Sequence, residues 1–255
     1  MSSVTRPLCP PVVPNTVRAV IFDLDNTLVD FMYLKRQSIT AAAQGMVDAG
    51  LERNVDEIVE AIYRIYDREG MEYKEILDRY LVESTGELDP KILACGIVAY
   101  RRARTAHMVL YPHVKLTLMQ LLKRGLRLAV LTDAPRQKAW LRLANLNLQH
   151  YFDPVITHND TGHHKPHSAP FHAVLAALGL PAHQVMMVGD WPERDIEGAR
   201  ALGLHTALAL YGSTMDTANH RADYELRDIA DLPGVLDTLN GGHALPPQGE
   251  RDSGA

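Results

Sequence analysis

Cysteine is almost missing from this chain. Cys9 and Cys95 are the only two in 255 residues, too few for a disulfide framework, and they offer no metal-ligand pair. A reducing, cytoplasmic setting is therefore expected. Charge of one sign is also missing in bulk: 31 acidic and 26 basic residues are scattered along the chain, for a net charge of −5. No basic block could track a phosphate backbone, which argues against nucleic acid as a partner. No apolar run approaches the roughly 18 residues that would span a bilayer. The opening stretch "MSSVTRPLCPPVVPNT" has neither a basic region nor a long apolar one, so no export signal and no membrane anchor are expected. Internal repeats and low-complexity blocks are absent too.

What is present is enough apolar sequence, 46% of the chain, to bury a core as one large domain or as a main domain with a smaller one. Four prolines in the first fourteen residues remove amide donors and block helix, so an extended leader is expected there. The tail "NGGHALPPQGERDSGA" reads the same way. Nearly continuous β-branched or aliphatic runs fall at 18–24, 126–133, 153–159, 184–190 and 205–211, as in strands covered on both faces of a parallel sheet. Helical patterns alternate with them, and Gly125, Gly179 and Gly203 stand where helices should stop. This alternation from about 110 to 230 predicts a doubly wound α/β sheet with right-handed crossovers. From about 31 to 108 the period is helical throughout, which predicts a small α-bundle inserted after the first strand.

In an open parallel sheet, ligands sit outside the carboxyl ends of the strands. The first strand closes on Asp23 and Asp25 and the second on Thr132 and Asp133; the third leads into "HNDTGHHKPH", which carries Lys165, and the fourth closes on Gly189 and Asp190 within "GDWPERD". This ordered set, "DLDNT", "LTDA", "KP" and "GDWPERD", resembles the four motifs of the haloacid dehalogenase-like hydrolase superfamily over residues 17 to 235. The insertion point matches the family's inserted helical cap. The resemblance implies a Rossmann-like core at 17–30 and 109–240 and a cap at 31–108, flanked by the leader at 1–16 and the tail at 241–255.

The resemblance further implies an enzyme, a hydrolase that removes phosphate from a small phosphorylated metabolite such as a sugar phosphate, a phosphoglycolate-like acid or a nucleotide monophosphate. Asp23 would be the nucleophile that forms an aspartyl-phosphate, and Asp25 would protonate the leaving oxygen and later activate water. Mg²⁺ would be held by the Asp23 and Asp190 side chains and the Asp25 backbone carbonyl. Lys165, the Thr132 hydroxyl and the Asp133 backbone N–H would bind phosphate oxygens, with Asp195 orienting Lys165 or water. The competing readings on the same fold are a 2-haloacid dehalogenase, a phosphomutase and an inactive phosphate-binding protein. Asp25 favours the phosphatase, because departing halide needs no general acid.

Other features have plainer readings. His158, His163, His164 and His167 crowd the loop around Lys165, but their spacing is not helical, and a zinc site is not expected. The basic run 100–107 reads as a solvated helix face, and Met46, Met71, Met108 and Met119, with Tyr63, Tyr66, Tyr73 and Tyr80, read as bundle core. Phe31, Met32 and Tyr33 are candidates for contact with the leaving group. Asn26 stands before Thr27, where many members of the family carry glycine. Monomer and homodimer fit the sequence equally.

Overall fold

The fold is given by a computed structural model that describes residues 16–241. The expected leader and tail lie, but for Thr16 and Gly241, outside the described residues. In chain order the elements are β1 (Ala19–Phe22), α1 (Phe31–Asp48), α2 (Val55–Glu69), α3 (Ile76–Thr85), α4 (Pro90–Ala106), α5 (Val114–Lys123), β2 (Arg127–Thr132), α6 (Arg136–Asn145) and β3 (Val155–Thr157). They continue with α7 (His158–Thr161), α8 (Ser168–Leu178), β4 (Val185–Gly189), a π-helical turn (Pro192–Glu197), α9 (Gly198–Ala201), β5 (His205–Ala209), β6 (Tyr224–Leu226) and α10 (Leu232–Leu239). The contacts divide the chain into two compact units.

The first unit runs up to Thr27, resumes at Pro112–Arg136 and continues from His150 onward. Its six strands form one parallel sheet in the order β3-β2-β1-β4-β5-β6. The doubly wound α/β class expected from the sequence is the class observed. β1 is buried at all four positions because both of its faces are covered. Ala19 and Ile21 pack with Ala129, Leu131, Val185 and Met187 against Phe171, Val174 and Leu178 of α8 and Ala199 of α9. Alternation turns Val20 and Phe22 to the other face, where α5 meets β2 and α10 meets α5. Gly125, Gly179 and Gly203 all have positive φ, at 76°, 61° and 79°, so each ends its helix as its position in the sequence implied. The short β6 was not legible as a strand, since three residues, "YEL", carry no alternation to read. The expected third strand is also shorter than its apolar run. Thr157 and Asp160 form a capping box that starts α7 at His158, and the Asp160 carboxylate accepts from the Thr157 amide at 2.8 Å and hydroxyl at 2.6 Å.

The second unit comprises Leu28–Tyr111 and Gln137–Gln149. Asp30, Asn54 and Asp89 cap α1, α2 and α4 through side chains that accept backbone N–H groups. The bundle core is built on Ile39, Met46, Ile58, Ile62, Ile65 and Leu81. Met119, read from the sequence as bundle core, is 44% exposed on α5 of the other unit. The α6 segment was expected in the sheet unit, but Gln137–Gln149 groups with the bundle. Glu72 explains this: it takes a salt bridge from Lys138 and another, at 2.7 Å, from Arg142, whose guanidinium also lies 4.7 Å from the centre of the Phe31 ring.

Helices α1 and α4 approach closely because Gly45 and Gly96 sit at their contact. A Cβ on Gly45 would lie 2.9 Å from Ala99 Cβ and 3.0 Å from the Cys95 carbonyl oxygen, and one on Gly96 would lie 2.8 Å from Met46 Cγ. Gly45→Val should therefore force the helices apart, costing about 1–3 kcal/mol. Urea unfolding followed by circular dichroism should show a lowered midpoint.

Candidate active site

Strand order reverses beside β1: β2 lies on one side and β4, reached by crossover, on the other. This switch point opens a crevice at the carboxyl ends of the strands, and Asp23 and Asp190 stand at that end of β1 and β4. Lys165 enters from the segment between α7 and α8. Its ammonium donates to Asp23 Oδ1 at 2.6 Å, to Asp195 Oδ1 at 2.6 Å and to the Leu131 carbonyl at 3.1 Å. Oxygens of Asp23, Asp190 and Asp195 all lie within 4.8 Å of one another. The structure thus brings together Asp23, Lys165, Asp190 and Asp195 from three separate stretches of chain. Asp25 is half-buried two residues beyond Asp23, and Thr132 is buried at the end of β2, where its hydroxyl accepts from the Ala134 amide at 3.2 Å.

Each of these groups is held from behind. The Thr27 hydroxyl donates to Asp190 Oδ1 at 3.2 Å, and the Thr27 carbonyl accepts from the Tyr211 hydroxyl at 2.7 Å. Asp195 uses both oxygens, since Oδ2 accepts from the Trp191 amide at 3.1 Å. The π-helical turn that contains it is of the kind often found at functional sites. The Asp133 carboxylate accepts from the Lys165 backbone N–H at 2.9 Å and from Arg194 at 3.2 Å, so its side chain anchors the lysine loop. Sequence reading had offered only the Asp133 backbone. Thr27, Gly189, Arg194 and Tyr211 went unassigned; the first three stand inside quoted motifs, but nothing in their spacing names their partners. The loop histidines stack in pairs, His158 on His164 at 4.0 Å and His163 on His167 at 3.9 Å.

Asn26 has φ of 57°, a left-handed conformation that glycine and asparagine adopt most readily. The asparagine is thus an alternative solution to the same backbone requirement.

The electrostatics are those of too many buried acids for one base. Burial raises the Asp23 carboxyl to about 8, with Lys165 opposing and Asp195 adding to the shift. Burial also raises Asp190, to about 9, helped by Asp23 and Asp195. Burial pulls the Lys165 ammonium down, but Asp195, Asp23 and Asp133 outweigh it, leaving the pKa above the ordinary lysine value. This excess negative charge, on oxygen donors only, fits a hard divalent cation. Asp23 and Asp190 are the better placed carboxylates for it, because both oxygens of Asp195 are already committed.

The comparisons with known proteins agree with this geometry. The family model of the haloacid dehalogenase-like hydrolases matches residues 17–203. The glyceraldehyde 3-phosphate phosphatase of Methanocaldococcus jannaschii is 33% identical over 88% of this chain and 98% of its own. A phosphoglycolate phosphatase of Yersinia pestis is 32% identical over 85% and 91%. The crystal structure of a phosphatase of the same superfamily from Thermococcus onnurineus superposes with a TM-score of 0.67, at 23% identity, over 90% of this chain and all of that one. The chain belongs to the haloacid dehalogenase-like hydrolases, where it stands among the phosphatases of small phosphorylated metabolites.

Gly189 makes room for the Asp195 carboxylate. A Cβ there would fall 2.3 Å from Asp195 Cγ and 2.3 Å from Oδ2. Gly189→Ala should therefore displace Asp195 and with it Lys165, lowering kcat/KM for p-nitrophenyl phosphate on the order of 10²-fold. Asn26→Gly should keep near-native turnover in the same assay.

Proposed function

We propose that this protein is a Mg²⁺-dependent phosphoric monoester hydrolase that works through an aspartyl-phosphate on Asp23. The observation that carries the reading is the buried lysine bridge from Asp23 to Asp195, beside Asp190, at the switch point of the sheet. Asp23 attacks the phosphorus, and its new O–P bond replaces the bond to the substrate's alcohol oxygen. That oxygen leaves with a proton from Asp25, which then takes a proton from the water that attacks the phosphorus and releases inorganic phosphate. Lys165 keeps a positive charge against the Asp23 carboxylate, and the Asp195 carboxylate and Leu131 carbonyl hold the ammonium in place. Thr132 and the Asp133 backbone N–H are the further phosphate contacts. Mg²⁺, held by Asp23, Asp190 and the Asp25 carbonyl, would supply the charge that keeps these carboxylates ionised beside a dianionic phosphate.

The substrate class follows from the relatives. Glyceraldehyde 3-phosphate and phosphoglycolate, named for two of them, are short phosphorylated metabolites and the first to try.

Phosphate release from a panel of such metabolites should depend on Mg²⁺ and stop with EDTA. Asp23→Asn should bring turnover to background, and Asp25→Asn should lower kcat by about 10²–10⁴-fold. Turnover that survives Asp23→Asn, or that ignores EDTA, would refute the mechanism.

A further inference from the structure

Arg194 takes no part in the proposed chemistry, yet it joins two of the segments that hold Lys165. Its Nη1 donates to Asp133 Oδ2 at 3.2 Å, while the other oxygen of that carboxylate, Oδ1, accepts from the Lys165 backbone N–H at 2.9 Å. The same guanidinium lies 3.9 Å from the centre of the Trp191 ring. Trp191 in turn meets Asp195 through two bonds: its amide donates to Asp195 Oδ2 at 3.1 Å, and its carbonyl accepts from the Asp195 amide at 2.9 Å. Asp195 Oδ1 then accepts from the Lys165 ammonium at 2.6 Å. These contacts close a ring, from Lys165 to Asp195, Trp191, Arg194 and Asp133 and back, that grips the lysine by its backbone N–H and by its ammonium.

A partly exposed ion pair adds little to stability, so the worth of Arg194 lies in geometry. A planar guanidinium can lay its face on an indole while its edge donates to a carboxylate, a double contact that a lysine ammonium makes less well. The spacing of three residues at the start of the π-helical turn sets Arg194 beside Trp191. The Asp133 carboxylate also has a competing partner, since His164 Nδ1 stands 3.7 Å from the Oδ1 that Lys165 uses. Arg194, on the opposite oxygen, keeps the carboxylate turned to the Lys165 amide.

We propose that Arg194 is a positioning residue for Lys165: held between the Trp191 ring and the Asp133 carboxylate, it fixes the segment after β2 against the π-helical turn and so sets where the lysine stands. It acts through Asp133 and Trp191 and touches no reacting atom. Its loss should shift Lys165 without unfolding the sheet, because the Arg194 side chain is 40% exposed and the strands beneath are packed by other residues.

Amide hydrogen exchange of the full chain, read by NMR at Lys165, tests the arrangement without relying on turnover, so its result stands apart from that of the phosphatase assay. The Lys165 amide should exchange about tenfold faster in Arg194→Met than in the native protein, while the amides of β1 and β4 keep their native rates. In an Asp133→Ala background, where Arg194 has lost its anchor, Arg194→Met should add nothing. Trp191→Leu should reproduce the faster exchange, and Trp191→Phe, which keeps a ring face, should restore most of the protection. A native exchange rate in Arg194→Met, or an undiminished effect of Arg194→Met on top of Asp133→Ala, would overturn the proposal. A second arm rests on the phosphatase reading: kcat for p-nitrophenyl phosphate should fall about tenfold in Arg194→Met, with KM changed by less than about twofold. With an active native enzyme, an unchanged kcat would overturn the proposal as well, whereas a native protein without turnover would refute only the phosphatase reading.

Discussion

A single ammonium, that of Lys165, ties the ends of the sheet together. It lies between Asp23 and Asp195, 2.6 Å from an oxygen of each, and is almost wholly buried. Removing one partner from such an arrangement would leave an uncompensated charge in a low-dielectric interior, a cost of about 3–5 kcal/mol. The surrounding structure is arranged to keep it: Asp133 holds the backbone of Lys165, Gly189 leaves space for the Asp195 carboxylate, and the π-helical turn presents that carboxylate. Gly198 serves the same end from further back, since a Cβ on it would crowd Phe171 at 2.6 Å and the Pro166 Cα at 3.1 Å.

The bridge is incomplete as charge balance. Asp190 stands in the same cluster, and its carboxyl, like that of Asp23, is pushed up by burial among acids. A site so arranged is primed for cations and for a ligand that brings them or shares them. The helical unit has a cavity lined by six basic and two acidic side chains, with Glu72 shared between Lys138 and Arg142.

The strands and helices, and the grouping of acids at strand ends, were legible in the sequence because they rest on local patterns. Apolar runs mark buried strands, a period of 3.6 marks the bundle, and glycines mark helix ends. The residues that support the site were harder to see. Asp133 looked like a source of a backbone N–H because its carboxylate acts on a segment 32 residues away. The α6 segment looked like part of the sheet unit because its helical pattern is the same in either place, whereas its ties to Glu72, 66 and 70 residues distant, and to Phe31 link it to the bundle.

By itself the sequence determined the doubly wound class, the inserted bundle and the identity of the strand-end groups, since these depend on residue type and period along the chain. Only the tertiary structure decided which acids share Lys165, which glycine yields to Asp195, and that basic side chains line a cavity of the helical unit. Those are matters of distance between residues far apart in sequence, and a one-dimensional pattern carries no such distance.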